Sequence, residues 1–151
     1  LYPGQENFNL SVNKSSEIVS FLGNSPYIFI LDGTWPCARK MLKLSKNLHK
    51  LKRVSFDNEI KSKFIIKQQP ESLCLSTIES VYTVINLLKG SGLEQSNTEK
   101  FLAPFEKMIE FQVKCILSPN NNHYRPNTKT EIIAKNMYKK PTQRNIVFEE
   151  R

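Results

Sequence analysis

The sequence lacks the features that mark several classes of protein. It contains no run of about 18 apolar residues, so no segment is long enough to cross a bilayer, and we expect no membrane association. Its three cysteines, Cys37, Cys74 and Cys115, form no Cys-x-x-Cys pair and have no histidine close by in the chain. A zinc site needs ligands at short spacing, so we expect free thiols and no metal in this chain. The odd cysteine count and the absence of a signal-peptide pattern favour a cytoplasmic protein.

Glycine is also scarce, with 5 residues in 151, and none of them forms a phosphate-binding loop. Gly90 and Gly92 follow a predicted helix, whereas the glycines of a phosphate-binding loop precede one. We therefore interpret Gly90 and Gly92 as the end of that helix.

Acidic residues are few, and none lies between Gly33 and Phe56. The chain carries 22 lysines and arginines against 14 acidic residues, a net charge of +8. This excess favours an anionic partner, nucleic acid before an anionic membrane surface. A solvated helix face usually mixes both signs of charge, whereas a face of one sign favours phosphate binding. Arg39, Lys43, Lys46 and Lys50 fall on one helical face, opposite the apolar one. We predict an RNA-binding surface formed by these four residues and Lys40.

The order of predicted elements indicates an α/β layer fold with a parallel sheet. Residues Tyr27–Leu31 form a continuous apolar run, which predicts a strand buried on both faces. A second short strand is predicted at Arg53–Phe56. Between the two strands, Thr34 is placed to cap a helix that has Pro36 in its first turn. The apolar stripe of this helix is Ala38, Met41, Leu42 and Leu48.

Two further helices are predicted before a polar, basic tail. Ser76–Glu79 has the pattern of a capping box and starts a helix that Gly90–Gly92 ends. Another helix lies within residues 99–117, with Pro104 in its first turn. We expect one domain over residues 1–118. The basic tail over residues 119–151 is expected to contain one short helix near residues 131–138.

The turn Asp32–Trp35 is the first candidate site. Ligands of open α/β sheets bind outside the carboxyl ends of strands, where this turn is expected. Asp32 offers a carboxylate, Gly33 permits close approach of the backbone, and Trp35 adds a flat apolar surface. A structural explanation stands beside this one, in which Asp32 and Thr34 cap the helix while Trp35 fills the core. The residue pattern leaves both explanations open.

Two motifs in this chain resemble those of the DTW-domain family. Residues Leu31–Leu42 read Leu-Asp-Gly-Thr-Trp-Pro-Cys-Ala-Arg-Lys-Met-Leu and match the signature Asp-x-Thr-Trp-x-x-Ala at each defining position. Residues Gln69–Ser80 are similar to a second block, Gln-Pro-Glu, a short gap, then Leu-Ser-Thr-x-Glu-Ala. Weaker similarities occur at Leu1–Gly4 and Leu102–Phe105. The resemblance therefore runs from residue 1 to about residue 117.

The resemblance implies a fold and an activity. The fold would be a single knotted, methyltransferase-like (SPOUT-like) α/β domain. Full family members carry a further N-terminal segment, often with zinc-binding cysteines, and we expect this sequence to lack it. Family members transfer the 3-amino-3-carboxypropyl group of S-adenosylmethionine to N3 of a uridine in tRNA, releasing methylthioadenosine. The partner would then be tRNA, and we expect a monomer.

The resemblance also implies roles for individual residues. The chemistry of this transfer calls for a carboxylate near uridine N3, and Asp32 is our candidate for the general base that removes its proton, in a reaction that needs no metal. The S-adenosylmethionine pocket would be lined by Trp35, Leu75, Ser76 and Thr77. A capping box at Ser76 is compatible with this role, because a capped helix N-terminus still exposes N–H groups suited to the carboxylate of the cofactor.

Other functions remain open from the sequence. An RNA methyltransferase would use the same S-adenosylmethionine, and a non-catalytic RNA-binding module or a basic structural domain would keep only the positive surface. The family segment Ser-x-Tyr-x-x-Arg is represented here by Ser62, Phe64 and Lys67, which weakens any bidentate phosphate contact. His49 and His123 are expected to be surface or RNA-contacting residues.

Overall fold

The computed structural model describes residues 7–59, 61–66 and 74–117, apart from the side chains of Trp35 and Leu117. The described residues up to 57 and those of 80–96 form one compact unit, and those of 58–79 and 97–117 form a second. The fold is a small α/β structure. Its elements in chain order are β1 (Phe8–Asn9), α1 (Ser15–Leu22), α2 (Trp35–Leu44), a 3-10 turn (Leu48–Lys50), β2 (Val54–Ser55), α3 (Thr77–Gly90) and α4 (Ala103–Leu117).

The sheet of the first unit is a parallel pair, β1 and β2, with Phe8 opposite Val54. The N–H of Phe8 donates to the carbonyl of Arg53 at 2.9 Å, and the N–H of Leu10 donates to the carbonyl of Ser55 at 2.8 Å. The predicted strand at residues 53–56 and the parallel sheet are therefore confirmed.

The core of the first unit joins this sheet to α1 and to the part of α3 after residue 79. Phe8 stacks on Phe21 of α1 with ring centroids 4.2 Å apart, and the Nζ of Lys52 lies 4.8 Å from the Phe21 ring centroid. Each fully buried aliphatic side chain contributes about 1.5–3 kcal/mol to the folded state. The buried members of this core are Leu10, Ile18, Val54, Val84 and Leu88.

Residues 27–31 belong to no helix and to no sheet among the described residues, so the predicted strand is wrong. Tyr27 and Phe29 are 91% and 60% exposed, whereas Ile28 packs against the core of the first unit. Exposed and half-buried side chains alternate from Tyr27 to Ile30, so the run is not buried on both sides. A strand buried on both faces needs long-range pairing, which an apolar run does not specify by itself.

Helix α2 begins as the sequence predicts, with Thr34 at the N-cap position and Pro36 in the first turn. The Thr34 side chain makes no capping hydrogen bond, so only its position agrees with the prediction. Ala38 and Leu42 are buried, and Met41 is partly covered at 37% exposure. The predicted apolar face is therefore correct for Ala38, Met41 and Leu42, whereas Leu48 lies beyond the end of the helix.

The two later helices follow their local signals. Helix α3 ends at Gly90, and α4 has Pro104 as its second residue. In the second unit Phe105 is buried, and its ring meets that of Phe64 edge-on, with centroids 5.5 Å apart. None of the described helices has the length and apolar character needed to cross a membrane. The predicted tail at 119–151 and its helix near 131–138 lie outside the described residues, as do residues 1–6 and 67–73.

Candidate functional site

The turn that carries Asp32 is exposed and leads directly into α2. Gly33 has a φ of +147°, a conformation that residues with a side chain rarely adopt. A Cβ built at Gly33 would lie 3.4 Å from the Cβ of Cys37 and 3.6 Å from the Cε of Met41, which are ordinary contacts. The backbone conformation, rather than lack of space, therefore requires glycine here. Gly33 fixes the shape of the turn that holds Asp32.

Replacing Gly33 with alanine is expected to destabilise the protein by about 1–3 kcal/mol, because the alanine would be held at a strained φ. Urea unfolding of the two proteins measures this change. Gly90 is a matched control, since it lies at the end of α3 without a positive φ and a Cβ there would meet nothing within 4 Å. Gly90→Ala should be neutral or stabilising by about 0.5–1 kcal/mol. Equal changes in unfolding free energy for Gly33→Ala and Gly90→Ala would show that the backbone at Gly33 does not require glycine.

The predicted cofactor residues are divided between the two units. Trp35 is the first residue of α2 in the first unit, and its side chain lies outside the described part of the structure. Leu75, Ser76 and Thr77 lie at the N-terminus of α3 in the second unit, and all three are half-buried. Leu75, Ser76 and Thr77 are therefore neighbours at the start of one helix.

Glu79, the third residue of α3, organises this helix N-terminus. It is only 5% exposed. Its Oε2 accepts hydrogen bonds from the Ser76 N–H at 2.8 Å, the Ser76 hydroxyl at 2.5 Å and the Ser62 hydroxyl at 2.6 Å. Its Oε1 accepts the Lys63 N–H at 2.7 Å. A buried carboxylate is costly unless it is hydrogen-bonded, and these donors meet that requirement.

These bonds determine what Ser76 can offer a ligand. Glu79 accepts the Ser76 N–H, as a capping box requires, and the Ser76 hydroxyl donates to the same carboxylate. Both donors of Ser76 are therefore used within the protein, and only its oxygen atoms can serve a ligand. The donors suited to a ligand carboxylate are backbone N–H groups at a helix N-terminus, such as the one that begins α3.

The segment Ser62–Phe64 is joined to α4 as well as to Glu79. The Nζ of Lys63 lies 2.5 Å from the Glu106 carboxylate, and Phe64 packs on Phe105. In the sequence this segment differs from the family pattern, and that pattern gives no indication of its contacts with Glu79. The sequence carries no signal for these contacts, because the burial of Ser62, 8% exposed, is a property of the fold, and it is this burial that makes the hydroxyl need a partner.

The predicted RNA-binding residues are all exposed, but they do not share one helical face. Helix α2 ends at Leu44, and Ser45 has non-helical angles of φ −93° and ψ 78°. The expectation of one helix reaching Leu48 is therefore wrong, because Ser45 leaves the helical conformation and a separate 3-10 turn follows. The cations are distributed over α2 (Arg39, Lys40, Lys43), the following turn (Lys46) and the 3-10 turn (Lys50).

His49 helps to end α2. Its ring Nε2 lies 2.7 Å from the carbonyl oxygen of Leu42, so the ring donates to a carbonyl of the last turn. The sequence predicted a surface or RNA-contacting histidine, and the described contact gives His49 a structural role at the end of the basic helix. His123 lies outside the described residues.

A second polar group lies where the parallel strands end. The Asn9 side-chain amide donates to Asp57 Oδ1 at 2.9 Å, the Asp57 N–H donates to the Ser11 hydroxyl at 3.0 Å, and the Ser11 N–H donates to Asn9 Oδ1 at 2.9 Å. No sequence motif marks these residues. Their polar groups bind one another, so we interpret them as a tie between the ends of β1 and β2.

In the part of the chain that the structure describes, no three histidine, cysteine, aspartate or glutamate side chains are grouped so as to hold a metal ion. The three cysteines are free thiols: Cys37 is exposed, Cys74 is buried and Cys115 is half-buried. The free-thiol prediction agrees with this arrangement.

Comparison with known proteins extends these observations. Residues 1–113 match the sequence model of the DTW domain. A Macaca fascicularis protein named tRNA-uridine aminocarboxypropyltransferase 2 is 28% identical over 149 residues, covering 96% of this chain and 44% of the relative. Relatives of the same name from Mus musculus and Drosophila melanogaster are 29% and 30% identical, covering 76% and 80% of this chain and 36% and 45% of their own lengths. The chain thus spans less than half the length of these relatives. No solved structure matches it.

Proposed function

Because the chain belongs to the DTW-domain family, we propose that it acts as a tRNA-uridine aminocarboxypropyltransferase. The match over residues 1–113 carries this proposal, and within it Asp32, Thr34, Trp35 and Ala38 keep every defining position of the family signature. The names of the three relatives support a tRNA uridine as the acceptor. We propose further that the complete fold is the knotted SPOUT-like form, and that the protein is a cytoplasmic monomer. The parallel pairing of β1 with β2 is compatible with that fold.

The proposed reaction joins N3 of uridine to the carbon next to the sulfonium of S-adenosylmethionine. The N3–C bond forms as the C–S bond breaks, and methylthioadenosine leaves with the electron pair of the broken bond. Uridine N3–H is weakly acidic, so its proton must pass to a base as the new bond forms. We assign this role to Asp32, whose carboxylate lies on the exposed turn before α2. The leaving group needs no proton, so one base together with correct positioning suffices.

The residues that would hold S-adenosylmethionine are Trp35, Leu75, Ser76 and Thr77. Their chemistry fits the amino-acid end of this molecule. The backbone N–H groups at the start of α3 suit its carboxylate, and oxygen atoms of the same residues suit its ammonium group. When bound, S-adenosylmethionine supplies the aminocarboxypropyl group and the sulfonium leaving group. The chain itself provides binding, orientation and the proton acceptor.

The exposed cations along α2 and the two turns after it would bind the phosphates of tRNA. They follow the turn of Asp32 directly in the chain, and no acidic residue interrupts them between Gly33 and Phe56. Phosphate contacts set the position and orientation of a nucleic acid but carry little base specificity. This surface is therefore proposed to hold the substrate, while the uridine itself is selected elsewhere.

Incubation of the full-length protein with unmodified tRNA and S-adenosylmethionine tests the proposal. Mass spectrometry of the digested tRNA should show aminocarboxypropyl-uridine, with methylthioadenosine released in equal amount. Methylated tRNA with S-adenosylhomocysteine would instead identify a methyltransferase. Binding of tRNA without either product, in the presence of the donor, would identify a non-catalytic RNA-binding module.

A further inference from the structure

The two described glutamates at the third position of a helix have different sets of partners. In α1, Glu17 is exposed and its carboxylate accepts the N–H of Lys14 at 2.9 Å, a contact within one helical turn. In α3, Glu79 makes the same contact with Ser76 but is buried, and it also accepts donors from Ser62 and Lys63. A capping role explains the bond to Ser76. It does not explain the bonds to a segment that lies 16 and 17 residues earlier in the chain.

Those additional bonds bring Ser62 beside the predicted cofactor residues. The hydroxyls of Ser62 and Ser76 donate to the same oxygen of Glu79, at 2.6 and 2.5 Å, so the two side chains are neighbours. The Ser62 hydroxyl also accepts the N–H of Phe64 at 3.1 Å, which turns the segment back on itself. The shape of Ser62–Phe64 is thus set by the hydroxyl that Glu79 holds.

From these contacts we infer that Glu79 is a positioning residue. It holds the segment Ser62–Phe64 against Leu75–Thr77, and this segment forms a second wall of the S-adenosylmethionine site. The inference rests on the proposed function for the identity of the ligand. Glu79 does not need to touch the ligand, because its carboxylate oxygens are directed to Ser62, Lys63 and Ser76.

Two substitutions separate this positioning role from simple capping. Glu79→Gln keeps the size of the side chain but replaces one acceptor oxygen with an NH₂ donor. If the remaining oxygen stays on Ser62 and Ser76, the NH₂ group faces the Lys63 N–H, and that hydrogen bond is lost. Ser62→Ala removes the hydroxyl that joins the segment to Glu79, while the bonds to Ser76 remain. Each change therefore removes one of the two bonds that hold the segment to Glu79 and leaves the cap of α3 in place.

The experiment is titration calorimetry of S-adenosylmethionine with the full-length protein and each variant. We expect Glu79→Gln and Ser62→Ala each to raise the dissociation constant by about 10-fold, the effect of losing one hydrogen bond to a buried charged group. The double variant should bind little worse than either single variant, because both changes loosen the same junction between the segment and Glu79. Ser62→Thr, which keeps the hydroxyl, should restore most of the affinity.

Further measurements distinguish positioning from general damage. Glu17→Gln, the same substitution at the equivalent position of α1, should leave the affinity for S-adenosylmethionine unchanged. A purely structural role of Glu79 would lower the fraction of folded protein and so the number of binding sites, with an unchanged dissociation constant in the protein that remains folded. Unchanged dissociation constants in Glu79→Gln and Ser62→Ala would overturn the inference.

The same titrations keep this inference distinct from the proposed function. If both substitutions weaken the binding of S-adenosylmethionine but the wild-type protein forms no aminocarboxypropyl-uridine, the second wall is supported and the proposed reaction is contradicted. If product forms but neither substitution changes the dissociation constant of S-adenosylmethionine, the reaction is supported and the second wall is contradicted. Absence of any binding to the wild-type protein would overturn both.

Discussion

Replacing Asp32 with asparagine is expected to lower turnover by about 100- to 10,000-fold, the contribution that a general base makes to catalysis. The dissociation constants of tRNA and S-adenosylmethionine should change little. Asparagine keeps the size of the side chain but cannot take up the proton that leaves uridine N3. Because Asp32 is exposed, the substitution creates no buried void. Single-turnover rates with enzyme in excess measure the chemical step separately from binding and product release.

Asp57 offers a matched control for this substitution. It is also an exposed aspartate of the first unit, and its Oδ1 accepts a hydrogen bond from Asn9. Asp57→Asn should change turnover by less than about twofold, as expected for a surface substitution away from the reacting atoms. A wild-type rate in Asp32→Asn would show that Asp32 is not the base. Equal losses in both variants would indicate a general electrostatic effect instead of proton transfer.

Binding of tRNA is expected to depend steeply on salt. If the five exposed cations from Arg39 to Lys50 each contact a phosphate, raising monovalent salt from about 50 to about 200 mM should weaken binding on the order of 100-fold. Neutralising three of them should reduce the slope of log affinity against log salt by roughly 2 to 3. Fluorescence anisotropy at several salt concentrations measures this slope. The variant to compare with wild type is Lys40→Gln, Lys43→Gln and Lys46→Gln combined.

The chain also provides a control for the loss of net charge. Three exposed lysines lie in the second unit, on α4 and just before it. Their neutralisation removes the same charge from a different surface and should leave the slope near its wild-type value. Equal reductions in both triple variants would show that binding follows the overall charge and not the surface along α2. The control variant combines Lys100→Gln, Lys107→Gln and Lys114→Gln.

Several elements could be predicted from the sequence because their signals are local. The start of α2 is predicted by Pro36, which fits a first helical turn. Gly90 marks the end of α3, and Pro104 fits only the first turn of α4. Each signal acts over a few residues, where steric limits on φ and the loss of an N–H act without tertiary contacts.

Other expectations failed because they depended on partners distant in the chain. The apolar run at residues 27–31 predicted a buried strand, but no described strand pairs with it and Tyr27 is 91% exposed. The basic residues were expected on one helix, but α2 ends before Ser45, and His49 contacts the carbonyl of Leu42. Helical periodicity gave no sign of this end, since cations at Lys46 and Lys50 continue the spacing of Arg39 and Lys43.

The sequence by itself determined the family, the order of most helices and the residues that carry the proposed chemistry. Motif residues such as Asp32 and Thr34 are recognisable by identity and spacing alone, without any knowledge of contacts. Only the tertiary structure showed what Glu79 does. The capping pattern predicts its bond to Ser76, three residues away, whereas its bonds to Ser62 and Lys63 join residues 17 and 16 positions apart. A buried carboxylate must find donors wherever the fold brings them, and that placement is a property of packing.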